Sequence, residues 1–139
     1  MARTALVNLD IEGARKLIEA LDKAGFPVGS AFWFYNPDSE EWRLFISSPE
    51  VDKKGPLRAY KTIQPVLKQL PEVTFGIDNI AAVGTKAPLV SLMRSAIKTG
   101  PGTSGIRLTR NVINGTLIED AYVYRLQQDQ GRASRSSRQ

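Results

Sequence analysis

Apolar side chains near the start of the chain recur at intervals of three and four residues, which predicts an amphipathic helix. Asn8 or Asp10 can cap its first turn, and Gly25 followed by Pro27 marks its end. Its apolar side consists of Ile11, Ala14, Leu17, Ile18, Leu21 and Ala24.

Two further stretches have the same period. A helix is expected from about Leu57 to Leu70, and Pro65 inside it should kink or break it by removing a backbone donor. Another is expected to begin at Pro88, a favourable residue for a first helical turn, and to end before Gly100. A short run at 80–83, rich in β-branched and small residues, predicts a single strand between these two helices.

Two strongly apolar runs flank the turn sequence Asn36-Pro37-Asp38-Ser39, which is typical of a type I turn. A loop of about five residues is expected there, which would place Phe34 opposite Trp42 and Phe32 opposite Leu44. Both faces of this hairpin would then be apolar. We therefore expect a central hairpin that is covered on both sides, or one whose second face binds a ligand.

A second hairpin is predicted around Asn114-Gly115, because this dipeptide favours the two-residue turn that joins antiparallel strands. The register places Ile113 opposite Thr116 and Arg110 opposite Glu119, an opposite-charge pair across the strands. One face would carry Ile106, Leu108, Val112, Leu117, Ala121 and Val123 around that pair.

These elements predict an α+β fold of order αββαβαββ. A mainly antiparallel sheet, built from the two hairpins and the single strand, would carry three packed helices. We expect one domain over residues 1–126, followed by a polar, basic tail over 127–139.

Composition limits the chemistry. Among 139 residues there is no Cys and no His, which excludes disulfides, thiolate chemistry and His-dependent triads. No cofactor or metal site is predicted, and the acidic pairs Glu40-Glu41 and Glu50/Asp52 flank turns, where we expect them to be solvated. An enzyme is therefore not favoured, and a carboxylate-dependent enzyme is the least favoured of the alternatives.

Charge is distributed unevenly along the chain. Residues 1–52 have a formal charge of −4, whereas residues 53–118 have +8 and contain two acid-free stretches, 53–70 and 79–118. A basic region of this kind can attract a polyanion through phosphate contacts, although a solvated face with no partner explains the same charge. The candidate anion-binding or nucleic-acid-binding residues are Lys54, Arg58, Lys61, Lys68, Lys86, Arg94 and Lys98.

Two further features are candidates for binding. The sequence from Val83 to Pro88 leads from a strand into a helix, where free backbone donors can hold an anion. Aromatic residues on one face of the first hairpin, if exposed, could stack on a ligand, although core packing explains them as well. That candidate surface comprises Trp33, Tyr35, Arg43 and Phe45.

Taken together, the patterns favour a small non-enzymatic protein that binds an anionic partner, either nucleic acid or another polyanion. The alternative is an accessory or assembly subunit that acts through contacts with another protein or a second copy of itself. No apolar run reaches the roughly 18–20 residues that a membrane span requires. The N-terminal sequence MARTALVNLD is a poor signal peptide. We therefore expect a cytoplasmic protein with no membrane partner.

Overall fold

The computed structural model describes residues 5–97 and 105–127. In these ranges the helices are α1 (Asn8–Lys23), α2 (Pro49–Lys54), α3 (Pro56–Lys68) and α4 (Pro88–Ala96), with a 3₁₀ turn at Ile77–Asn79. The strands are β1 (Ser30–Asn36), β2 (Glu41–Ser47), β3 (Ile80–Val83), β4 (Ile106–Ile113) and β5 (Thr116–Leu126). The predicted α+β class is confirmed, while the tail predicted after residue 126 lies outside the described residues except for Gln127.

All five strands of the described residues form one mixed sheet in the order β3-β2-β1-β5-β4. The central strand β1 pairs antiparallel with both β2 and β5, and β4 pairs antiparallel with β5, whereas β3 pairs parallel with β2. The sheet is thus mainly antiparallel, as predicted, with one parallel pair at an edge.

The helices differ from the prediction in two respects. The predicted order lacked α2, a helix of six residues that begins where the Ser48 hydroxyl accepts a hydrogen bond from the Glu50 backbone N–H at 3.1 Å. One and a half turns are too short to show a periodic pattern. Of the kink or break predicted at Pro65, the break is absent, because α3 continues through this residue to Lys68.

The register predicted for the first hairpin was wrong by one residue. Phe34 lies opposite Arg43, Phe32 opposite Phe45 and Trp33 opposite Leu44. The loop has four residues, not five: the Asn36 carbonyl accepts from the Glu40 N–H at 2.8 Å, and Glu40 adopts a φ of 56°. A shift of one residue moves every side chain of a strand to the other face. Trp42, Leu44 and Ile46 therefore share a face with Trp33, not with Phe32.

The two faces of the sheet carry separate cores, so the first hairpin is covered on both sides. On one face, α1 and α3 pack against Trp33 and its neighbours; on the other, α4 packs against Phe32 through Val90 and Met93. Trp33 is fully buried, and its indole Nε1 donates to the Tyr124 hydroxyl at 3.1 Å. That hydroxyl donates in turn to the Ile11 carbonyl at 2.7 Å, and burial raises its pKa well above the ordinary value.

The register predicted for the second hairpin is confirmed. Ile113 pairs with Thr116, Leu108 with Ala121 and Ile106 with Val123. The Arg110 guanidinium lies 3.7 Å from the Glu119 carboxylate, but Arg110 has a φ of 50° and is missing from the ladder. The alternation of faces breaks there. Val112 and Leu117, which were expected on the apolar face, are consequently 69% and 54% exposed, and Ile118 is buried instead.

The turn of this hairpin supplies a stability prediction. Asn114 and Gly115 both have positive φ, 49° and 80°, as a type I′ turn requires. We expect Gly115→Val to lower the free energy of unfolding by roughly 1 kcal/mol or more, because a β-branched residue resists this conformation. Urea titration of both proteins measures the difference. Equal stability of the two proteins would contradict the turn assignment. A loss of stability would reflect the backbone conformation and not a collision, because no heavy atom lies within 4 Å of a Cβ at this position.

Candidate anion-binding surface

Helix α3 carries the densest group of candidate cations. Arg58, Lys61 and Lys68 are exposed, while Ala59, Ile63 and Leu67 are buried against the sheet. At 100° per residue the three cations fall within about one quarter of the helix circumference. The helix contains no acidic residue, and within the described part of the chain none of the three cations makes an ion pair. We call Arg58, Lys61 and Lys68 the α3 cationic ridge.

Lys54 differs from these residues, because its ammonium lies 3.4 Å from the Glu50 carboxylate one turn earlier in α2. Both side chains are partly exposed, so this i,i+4 pair contributes little to stability, at most about 0.5 kcal/mol. Lys54 retains its charge, but an anion at this end of the surface would have to compete with Glu50.

The remaining candidates do not extend the ridge into one continuous surface. Arg94 lies on α4, which packs on the face of the sheet opposite to α3 and contacts β4 and β5. Lys86 is exposed in the turn before α4, and Lys98 lies outside the described residues. The sequence therefore assigned to one group cations that the fold distributes over two faces of the sheet.

The turn that enters α4 already holds an anion supplied by the chain itself. The Asp52 carboxylate accepts from the Thr85 backbone N–H at 3.1 Å and from the Thr85 hydroxyl at 2.6 Å. A Cβ on Gly84 would collide with the same carboxylate, so the backbone and the carboxylate pack closely. The predicted anion position at residues 83–88 is therefore occupied by Asp52, which remains exposed to solvent as the sequence predicts.

An apolar groove runs beside the α3 cationic ridge. It has a volume of about 390 Å³ and lies between α3 and the 3₁₀ turn; its lining residues are Tyr60, Lys61, Gln64, Pro65 and Ile77. Lys61 belongs to both the groove and the ridge. The Oε1 atom of Gln64 is buried and has no hydrogen-bond partner within the described residues.

The Tyr60 hydroxyl at the edge of this groove has a structural role. It donates to the Ile80 carbonyl at 3.3 Å and accepts from the Ala82 N–H at 2.9 Å, both of which belong to the edge strand β3. Tyr60 is thereby fixed in place, with its ring exposed to the groove and its hydroxyl on the sheet.

The four aromatic-surface candidates do not form one surface. Trp33 is fully buried and Tyr35 is half-buried on the α1/α3 face, whereas Arg43 and Phe45 point to the α4 face. Phe45 is itself partly covered, since it stacks on Phe32 at 5.5 Å between ring centroids. The prediction of a single stacking surface is therefore wrong. The one-residue shift in register places Trp33 and Tyr35 on one face of the sheet and Phe45 on the other.

A second cavity, of about 430 Å³, opens at the far end of the α1/α3 face, and its lining includes Tyr35, Trp42, Thr109, Arg110, Glu119 and Asp120. Arg107 beside it lies 5.6 Å from the Trp42 ring centroid. The Arg107 guanidinium donates hydrogen bonds to the two oxygens of the Asp120 carboxylate at 2.8 and 2.9 Å. These bonds raise the pKa of Arg107. Both arginines here have an acidic neighbour, so this cavity lacks the free cations of the α3 cationic ridge.

The ridge is predictable from the sequence, but the groove is not. Helical periodicity predicts which side of α3 faces solvent, whereas Ile77 reaches the groove only through the packing of a 3₁₀ turn against that helix. Within the described ranges, no group of His, Cys, Asp and Glu residues could hold a metal ion, and no helix is long and apolar enough to cross a membrane.

Comparison with known proteins gives no guide to function: no family model, no curated protein and no solved structure matches this chain.

Proposed function

We propose that this protein binds an anionic partner through the α3 cationic ridge. The observation that carries the proposal is the group of three exposed cations, Arg58, Lys61 and Lys68, on a helix without an acid. Charged side chains that already have a partner must give it up to bind a ligand. These three have no ion pair to break within the described residues, so none of them loses such a partner when an anion binds.

The fold also supports the helix as a rigid base for binding. Ala59, Ile63 and Leu67 anchor α3 in the core, so the backbone positions of the three cations are fixed relative to one another. The ridge from Arg58 to Lys68 spans ten residues, or about 15 Å along the axis at 1.5 Å per residue. A partner with several negative charges over that distance can contact all three cations together.

The proposal is tested by reversing two charges of the ridge. We expect Lys61→Glu/Lys68→Glu to weaken binding of a fluorescent single-stranded DNA oligonucleotide, a general polyanion probe, by about tenfold or more at low salt. The slope of log affinity against log salt should fall by about two, because each lysine accounts for about one unit. Fluorescence anisotropy at several salt concentrations measures both quantities.

A matched control separates the position of the charges from their number. The variant Lys86→Glu/Arg94→Glu changes the net charge by the same amount at positions that are not on α3 and that make no ion pair within the described residues. We expect it to change binding by less than about twofold once salt exceeds 0.1 M, where the screening length is about 10 Å. If both variants weaken binding equally, net charge alone is responsible and the ridge is not the binding surface. Absence of any binding by the wild type at low salt rejects the proposal.

A further inference from the structure

We infer that the partner of the α3 cationic ridge is an acidic protein segment that inserts one bulky apolar side chain into the adjacent groove. This inference rests on the proposed function and specifies the class of partner. It follows from two features of the groove: its apolar lining and its position relative to the lysines.

The lining of the groove favours an apolar group. Tyr60, Pro65 and Ile77 provide a ring, a pyrrolidine and a branched aliphatic side chain, which form a shallow apolar surface that is open to solvent on one side. A phosphodiester backbone has nothing that gains by entering such a site, since its charged oxygens would lose water there. A Leu, Phe or Trp side chain gains free energy by leaving water for it.

The lysines determine where the acidic residues of the partner belong. Lys61 and Lys68 stand three residues before and four residues after Gln64. The seven-residue interval between them corresponds to about 10 Å along the helix axis. An extended peptide covers that distance in about three residues at 3.3–3.6 Å each. The segment that fits best therefore has two acidic residues three positions apart, with the bulky apolar residue between them.

Two synthetic peptides of equal charge test the inference. One contains Trp between glutamates spaced in this way, and the other has Ser in place of Trp. We expect the Trp peptide to bind at least about tenfold more tightly than the Ser peptide, the difference that burial of one large apolar side chain produces. Anisotropy of labelled peptides at constant salt gives both affinities.

A substitution without change of charge tests the position of the groove. We expect Gln64→Trp to fill the groove and to reduce the affinity for the Trp peptide to that of the Ser peptide, while the affinity for the Ser peptide stays the same. Gln69→Trp is the matched control, because Gln69 is exposed beyond the end of α3 and does not line the groove. Amide chemical shifts of wild-type protein with the Trp peptide provide a second measurement, with the largest changes expected at Gln64 and Ile77.

The possible outcomes separate this inference from the proposed function. Equal affinities of the two peptides, or a Gln64→Trp variant that retains tight binding of the Trp peptide, overturn the inference alone, provided that Lys61→Glu/Lys68→Glu still weakens binding. An oligonucleotide of the same net charge as the peptides that binds more tightly than both, with the same dependence on Lys61 and Lys68, shows that the partner is a nucleic acid and also overturns it. If neither peptides nor the oligonucleotide bind, the proposed function fails with it.

Discussion

Replacing Trp33 with alanine is expected to lower the free energy of unfolding by about 3–5 kcal/mol, the range for removing a large aromatic side chain from a core. Trp33 is fully buried at the centre of the sheet, and its ring contacts Phe75 edge to face at 5.1 Å between centroids. The substitution also removes the hydrogen bond from Nε1 to the buried Tyr124 hydroxyl. Urea-induced unfolding followed by far-UV circular dichroism measures the change.

Two further variants identify the source of this effect. Trp33→Phe keeps most of the packing but loses the Nε1 donor, so its cost should be well below that of alanine. Phe45→Ala removes an aromatic residue that is only half-buried, on the opposite face, and should also cost less than Trp33→Ala. A Trp33→Ala protein with an unchanged urea midpoint would show that this face of the hairpin is not a core.

The second large effect is expected at the ion pair between Arg125 and Asp22. The Arg125 side chain is 5% exposed, and its guanidinium bonds both Asp22 carboxylate oxygens at 3.0 and 2.8 Å and the Val28 carbonyl at 3.1 Å. Removing one partner of a fully buried pair costs about 3–5 kcal/mol, because the other charge is left in a medium of low polarity. The Asp22 side chain is 40% exposed, and we therefore expect Asp22→Ala to cost about 2–3 kcal/mol.

A double-mutant cycle isolates the interaction. In Arg125→Met the buried charge is gone, and a subsequent Asp22→Ala substitution should then cost less than about 0.5 kcal/mol. The coupling between the two positions is the difference between these two costs of Asp22→Ala, both measured by urea titration. Equal costs in the two backgrounds would mean that Asp22 acts through its position in α1 and not through Arg125.

The two hairpins show which part of the fold can be read from local sequence. Asn114-Gly115 permits one compact turn geometry, so the register of β4 with β5 follows from two residues. Asn36-Pro37-Asp38-Ser39 begins a turn equally clearly but leaves its length open, and the left-handed conformation of Glu40 shortened the loop by one residue. Because side chains alternate along a strand, this small error moved the whole of β2 to the wrong face.

The same distinction applies to the candidate site. The solvent-facing side of α3 follows from helical periodicity, so the positions of Arg58, Lys61 and Lys68 on one side could be predicted. Their separation from Arg94 could not, since it depends on which face of the sheet each helix covers. The role of Asp52 was equally hidden, because its partner Thr85 lies 33 positions further along the chain.

The hydroxyl of Tyr60 has a consequence for the tendency of the protein to aggregate. A strand at the border of a sheet offers unpaired amides and carbonyls to any passing extended chain, and this is the usual starting point of fibril growth. On β3 the Ile80 carbonyl and the Ala82 amide are both taken up by Tyr60, within a strand of four residues. The Tyr60 hydroxyl thus protects this edge of the sheet against strand-to-strand aggregation at high protein concentration. The ring of the same side chain lines the groove and can contact a ligand there.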